Sequence, residues 1–184
     1  MTFDFPGYPL QFVQRKPCRD STSHYFTEIF KFFSPKTKLN YVATAEYYEH
    51  NVIGVKFYAK KDKKSDFKYN KIINKGDFGN IVMTLINLVV LLYERDKSAS
   101  FFFQGAGSVD GRSKRVEGFY KTQRYVVYSY IVERKFGNET FQHYTNDMVS
   151  GYLIVNRRCG EHVDDRKDKI LTMLQATYHE FSVI

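Results

Sequence analysis

The sequence predicts a single α+β domain, with a small mixed or antiparallel sheet packed against about three helices. Three observations carry that expectation. Segments alternating at period two come early, segments of helical period follow, and short apolar runs separate the helices. The resulting order is strands, helix, strand, helix, strand, helix. At 184 residues the chain fits one domain and can bury a core without disulfides or metals. No internal repeat or low-complexity linker interrupts it.

The first 20 residues read as an irregular arm, because Pro6, Gly7, Pro9 and Pro17 discourage regular pairing. Residues 21–184 form the domain. Tyr25 to Phe33 is rich in aromatics, and its periodicity leaves strand and short helix open. Asn40 to Tyr48 and Val52 to Ala59 read as two strands, with His50-Asn51 at a tight turn. In the second strand Val55, Phe57 and Ala59 lie on one face, with Lys56, Tyr58 and Lys60 on the other. A polar stretch carries Lys56, Lys60, Lys61, Lys63, Lys64, Lys68, Lys71 and Lys75, and reads as a solvated hairpin end and loop.

Asp77 is placed to cap a helix running to about Tyr93 or Asp96. Phe78, Ile81, Val82, Leu85, Ile86, Val89, Leu92 and Tyr93 form its stripe, and Val90 and Leu91 widen it, so the helix is expected to be central and covered on most sides. Ala99 to Gln104 is a short buried strand, broken by Gly105-Ala106-Gly107-Ser108. The next helix is expected from Gly111–Ser113 to about Phe136. Phe119, Gln123, Val126, Val127, Tyr130 and Ile131 form its inner face, and Gly137-Asn138 its end. Phe141 to Tyr144 and Tyr152 to Val155 follow as strands. A last helix opens at His162–Asp168 and continues through Phe181, with Asp164 and Asp165 complementing its dipole.

Composition narrows the function classes. Cys18 and Cys159 are too few for a disulfide framework. The start Met-Thr-Phe-Asp-Phe has neither a basic n-region nor an apolar h-region, so a cytoplasmic location is expected. Ile81 to Tyr93 falls short of the ~20 residues that span a bilayer, so no membrane anchor is expected. The formal net charge of +8, with a pI near 9.3, suits nucleic acid or an acidic protein partner. General solubility explains a charge of that size equally well.

The site-like segment is Asp110 to Tyr120. A glycine turn follows the Phe101–Phe103 strand, and Arg112, Lys114 and Arg115 come next. Amides at a helix start attract anions, and arginines strengthen that pull. The spacing matches neither a dinucleotide fingerprint nor a P-loop, and a plain strand-to-helix connection is the simpler account. Further on, Lys121, Arg124, Arg134 and Lys135 interleave with Tyr120, Tyr125 and Tyr128, a pattern suited to single-stranded nucleic acid. The bland account is a helix with a basic solvent face. The residues expected to bind nucleic acid or another anion are Arg112, Lys114, Arg115, Tyr120, Lys121 and Arg124.

Other constellations are weaker. Glu161, Asp164, Asp165 and Asp168 share a helix edge beside His162, but an acidic helix start explains them without a metal. No His-x-x-x-His pair or nucleophile elbow is present, so no catalytic residue, metal or cofactor is assigned. His143 with an arginine could make a metal-independent ribonuclease set, in which a base takes a 2′-hydroxyl proton. Cys159 lies beside Arg157 and Arg158, which favour a thiolate, although an inert cysteine is the simpler account.

The pattern Asp110-Gly111-Arg112-x-x-Arg115-x-x-x-Phe119 resembles a signature of small bacterial domain proteins: hydrophobic helix, strand, glycine turn, arginine-led helix. The likeness spans Asp77 to Val155. It implies a compact bacterial cytoplasmic α+β domain without established chemistry, of a kind found in defence or toxin–antitoxin surroundings. Together these readings predict a non-enzymatic binding protein for nucleic acid or an acidic protein surface. The ribonuclease is the alternative, and the oligomeric state is left open.

Overall fold

A computed structural model describes residues 4–19, 22–71, 76–109 and 117–178. Seven strands form one sheet, larger than the small sheet expected: β1 (Gln11–Pro17), β2 (His24–Ser34), β3 (Leu39–Tyr48), β4 (Val52–Ala59), β5 (Ser100–Gln104), β6 (Phe141–Asn146) and β7 (Gly151–Asn156). Their spatial order is β1-β2-β3-β4-β5-β7-β6. Only the β4–β5 pair is parallel, so the sheet is mixed. Among the described residues three α-helices complete the fold: α1 (Phe78–Arg95), α2 (Gln123–Lys135) and α3 (Val163–Thr177).

β2 resolves as a strand because Glu28, Phe30, Phe32 and Ser34 are buried in alternation. The β3–β4 turn needs left-handed backbone at His50 (φ 60°) and Asn51 (φ 49°), a conformation asparagine tolerates well. Asn51 also fastens the turn to the end of α1, donating to Asp96 at 2.8 Å and Ser98 at 3.0 Å. The parallel step from β4 to β5 requires a crossover, and α1 supplies it.

The alternation of the strands makes two cores. On one face, α1 and α2 cover Phe30, Phe32, Tyr41, Ala43, Ile53, Phe101 and Ile154. On the other, α3 covers Tyr48, Val52, Phe102, Leu153 and Val155 with Ile170, Met173 and Leu174. Among the described residues α1 is the one helix long and apolar enough to cross a membrane by length and composition. Its Ile81, Val82, Ile86, Leu88 and Leu92 are instead buried against the sheet.

The arm departs from expectation. Residues 11–17 pair with β2 as an edge strand, and the preceding segment docks on α1. Tyr8 N donates to Thr84 Oγ1 at 2.9 Å, and Asn87 Nδ2 donates to the Pro6 carbonyl at 3.1 Å. The edge carries a register shift between Phe12 and Gln14, together with Arg15, Lys16 and Pro17, all features that discourage further pairing. Asp77 does precede α1, but its carboxylate makes no backbone cap. It accepts instead from Ser34 Oγ at 2.5 Å and Tyr8 Oη at 2.6 Å, tying arm, β2 and helix together.

Candidate functional site

The glycine turn after β5 is built by close approach. A side chain at Gly105 would meet the Tyr125 backbone at 2.6 Å, and one at Gly107 the Glu117 carbonyl at 2.3 Å. Neither glycine is spared for a ligand. Residues 117–122 are not helical, so α2 begins at Gln123, later than expected. Thr122 caps it: its Oγ1 accepts from Tyr125 N at 3.2 Å and donates to the Gly105 carbonyl at 2.8 Å.

Glu117 takes the place expected for a bound anion. Its carboxylate accepts from Gln123 N at 2.9 Å through one oxygen and from Ser108 N at 3.0 Å through the other. The positive end of the helix is therefore met by a side chain of the same chain.

The inner face of α2 also differs from expectation. Tyr125, Ile131 and Val132 are buried, and Tyr128 stacks on Phe78 with ring centroids 6.0 Å apart. Val126, Val127 and Tyr130 face solvent, and so does Phe119.

The six expected binding residues divide into distinct groups. Arg112, Lys114 and Arg115 lie outside the described residues. Tyr120 is exposed beside Phe119 at the approach to α2. Lys121 is exposed and pairs with Asp147 at 3.1 Å, and the hydrogen bond and charge of that carboxylate raise its amine above the ordinary value. Arg124 is turned inward. Its guanidinium donates to the backbone carbonyls of Tyr69, Asn70 (3.0 Å) and Lys71 (2.6 Å). Burial pulls its pKa below the ordinary arginine value. Arg124 is thus a clamp on the lysine segment.

That clamp exposes a juxtaposition the sequence did not show. The lysine segment and the root of the arginine segment touch. Val109 N donates to the Asn70 carbonyl at 3.1 Å, and Asn70 Nδ2 donates to the Gly107 carbonyl at 2.7 Å. Lys60, Lys61, Lys63 and Lys64 are exposed on this segment. Lys71 is paired with buried Asp62 at 2.6 Å, and Lys68 lies over the rings of Tyr58 and Tyr69 at 5.3 and 5.0 Å. Contacts between residues so distant in sequence leave no local pattern.

A second polar cluster was also missed. Glu46 accepts from Tyr48 Oη and from Lys56 Nζ, both at 2.7 Å, and Tyr178 Oη bonds Tyr48 and Lys56. Burial and the Glu46 charge push the Tyr48 phenol far up. Burial alone would lower the Lys56 amine, but Glu46 and Tyr178 outweigh it and raise it. The charged groups in this cluster are answered by one another, so it fastens the end of α3 to β3 and β4.

His143 lies on β6, its Nδ1 2.8 Å from Tyr152 Oη. Burial lowers its pKa, an effect partly offset by the Phe136 carbonyl, and the net shift favours the neutral ring. The acidic set at α3 does not gather. Glu161 pairs with Arg166 and Lys169, Asp164 accepts from Tyr144 Oη at 2.7 Å, and Asp168 pairs with Lys167 at 3.0 Å. Among the described residues no three His, Cys, Asp or Glu side chains are grouped to hold a metal ion. Cys159 is buried, its Sγ donating to the Glu161 carbonyl at 3.3 Å. Comparison with family models, curated proteins and solved structures gives no match to this chain.

Proposed function

We propose that this chain is a non-enzymatic nucleic-acid-binding protein of the cytoplasm. Its contact residues are drawn from the lysine segment, from Arg112, Lys114 and Arg115, which lie outside the described residues, and from Tyr120 and Lys121. The observation that supports this most is the junction of Asn70 with Val109 and Gly107, which roots two basic stretches side by side. Clustered lysines and arginines attract phosphates, and the exposed rings of Phe119 and Tyr120 offer bases a stacking surface. An acidic protein would meet the same charges but has no bases to stack on these rings.

The test is fluorescence anisotropy with a labelled single-stranded RNA oligonucleotide at several salt concentrations. Reversing Arg112 and Arg115 to Glu is expected to weaken binding and to flatten the salt slope by about two. Tyr120→Ala is expected to cost about 1–3 kcal/mol if its ring stacks on a base. An unchanged slope in the double variant removes the proposal. Cleavage of the oligonucleotide in EDTA, abolished by His143→Ala, would replace it with the ribonuclease reading.

A further inference from the structure

The lysine segment holds one large apolar side chain in the open. Phe67 is 50% exposed, whereas Tyr58 is buried and Tyr69 partly so. A lone surface ring is common and by itself says nothing. What singles out this one is its setting. Tight turns lock the backbone around it: Ser65 N donates to the Asp62 carbonyl at 2.8 Å, Lys68 N to that of Ser65 at 3.1 Å, and Asn70 N to that of Phe67 at 2.9 Å. Phe67 N adds a bond to Ser65 Oγ at 3.3 Å. Arg124 ties the base of the segment to α2 through the Asn70 and Lys71 carbonyls. The ring is thus presented on fixed backbone, which lowers the entropy lost when a ligand meets it. The charge beside it in the chain is positive. Lys60, Lys61, Lys63 and Lys64 are exposed, and Asp66 is the one exposed carboxylate of residues 60–68, because Asp62 is buried and paired with Lys71.

We propose that Phe67 is a base-stacking residue and that the ligand of this surface is a single strand of nucleic acid, not a duplex. Lysines attract any polyanion and do not separate the two. A ring does, because a duplex keeps the faces of its bases covered by neighbouring pairs, whereas a single strand opens a base onto the ring. The exposed large apolar side chains of residues 60–71 and 117–122 are Phe67, Phe119 and Tyr120, and all three are rings. An anionic bilayer would take aliphatic side chains as readily. Phe67 and Phe119 stand three and two residues from one hydrogen-bonded run, in which Val109 N meets the Asn70 carbonyl and Glu117 N the Ser108 carbonyl at 2.8 Å. The inference rests on the nucleic-acid reading and adds the strandedness of the ligand, and it uses none of Arg112, Lys114 and Arg115.

The chain has no tryptophan, so Phe67→Trp sets a single reporter in the proposed stack. A short unlabelled single strand is expected to quench its emission, and a duplex with the same number of phosphates to leave it bright. In anisotropy titrations Phe67→Leu is expected to weaken single-strand binding about tenfold and duplex binding much less, while Phe67→Trp keeps the native affinity. Leucine preserves apolar area and removes the flat ring, so that loss reports stacking. Emission that stays bright in the single-strand complex overturns the inference, as does native affinity in Phe67→Leu or a native chain that prefers the duplex. In each of those cases the nucleic-acid reading stands without it. A native chain that binds neither ligand removes both. Emission that shifts to the blue on phosphatidylserine vesicles, with Phe67→Leu bound as tightly as the native chain, overturns the inference in favour of an anionic bilayer.

Discussion

Glu28 is 2% exposed and answers two arginines at once, Arg15 at 2.8 Å and Arg95 at 3.0 Å, with Tyr47 Oη at 3.1 Å. The carboxylate is buried, whereas both guanidinium groups reach solvent. The arrangement is therefore asymmetric. Replacing both arginines by Ala strands a buried charge and is expected to cost about 3–5 kcal/mol. Glu28→Gln frees two arginines that water can solvate, so it is expected to cost clearly less in urea unfolding of the same protein.

Asp77 gives the pH dependence. Burial by itself would raise its carboxyl, but the hydroxyls of Ser34 and Tyr8 and the Asn80 amide outweigh burial and hold it below the ordinary value. A carboxyl lowered in the fold stabilises above its unfolded pKa, near 3.9, and that contribution fades as pH falls through the folded value. The melting temperature is expected to drop below about pH 4, and Asp77→Asn to flatten that limb while lowering stability near neutrality. A limb of unchanged depth in the variant would remove this role.

Among the elements, the turn from β5 to α2 concentrates the most constraint in the fewest residues. Thr122 joins Tyr125 N, the Gly105 carbonyl and, through its own N–H, Ser150 Oγ at 2.9 Å. Thr122→Ala is expected to cost about 1–2 kcal/mol, the upper part of the range for a lost cap. Gly107→Ala is expected to cost at least as much, because its new methyl meets backbone that cannot move aside. Thermal melts of the two variants measure both. The sequence announced this turn through Gly105 and Gly107, and the close approaches there fit the plain strand-to-helix connection, the simpler of its two accounts. Glycine spacing is the same whether the neighbour is a phosphate or a Glu117 carbonyl. α2 itself was legible as a helix ending before Gly137, but not its orientation, because valines and tyrosines both repeat at helical spacing along it.

At the scale of the whole molecule the order of strands and helices was legible, and so was α1 as the central helix. β1 was not, because an edge strand with both faces in water carries no alternating apolar pattern, and prolines flank it. The two-faced architecture was hidden for a related reason: β4 and β5 bury both faces, so their runs do not say which helix covers which side. α2 and α3 lie on opposite faces of the sheet, so the acidic edge of α3 does not pair with α2 inside one chain. The basic stretches were legible in the sequence, and the contact between their ends at Asn70 was not. Arg124 looked like a contact residue because its charge was visible and its three carbonyl partners were not.

The junction at Asn70 fixes how the lysine segment meets the start of the arginine segment. Both basic stretches are anchored at their roots to the same helix and to each other, through Arg124, Val109 and the Asn70 amide. The distance between those roots is therefore a property of the folded core and does not adjust to the visitor. On the nucleic-acid reading proposed above, that fixed separation favours a polyanion whose phosphates match it.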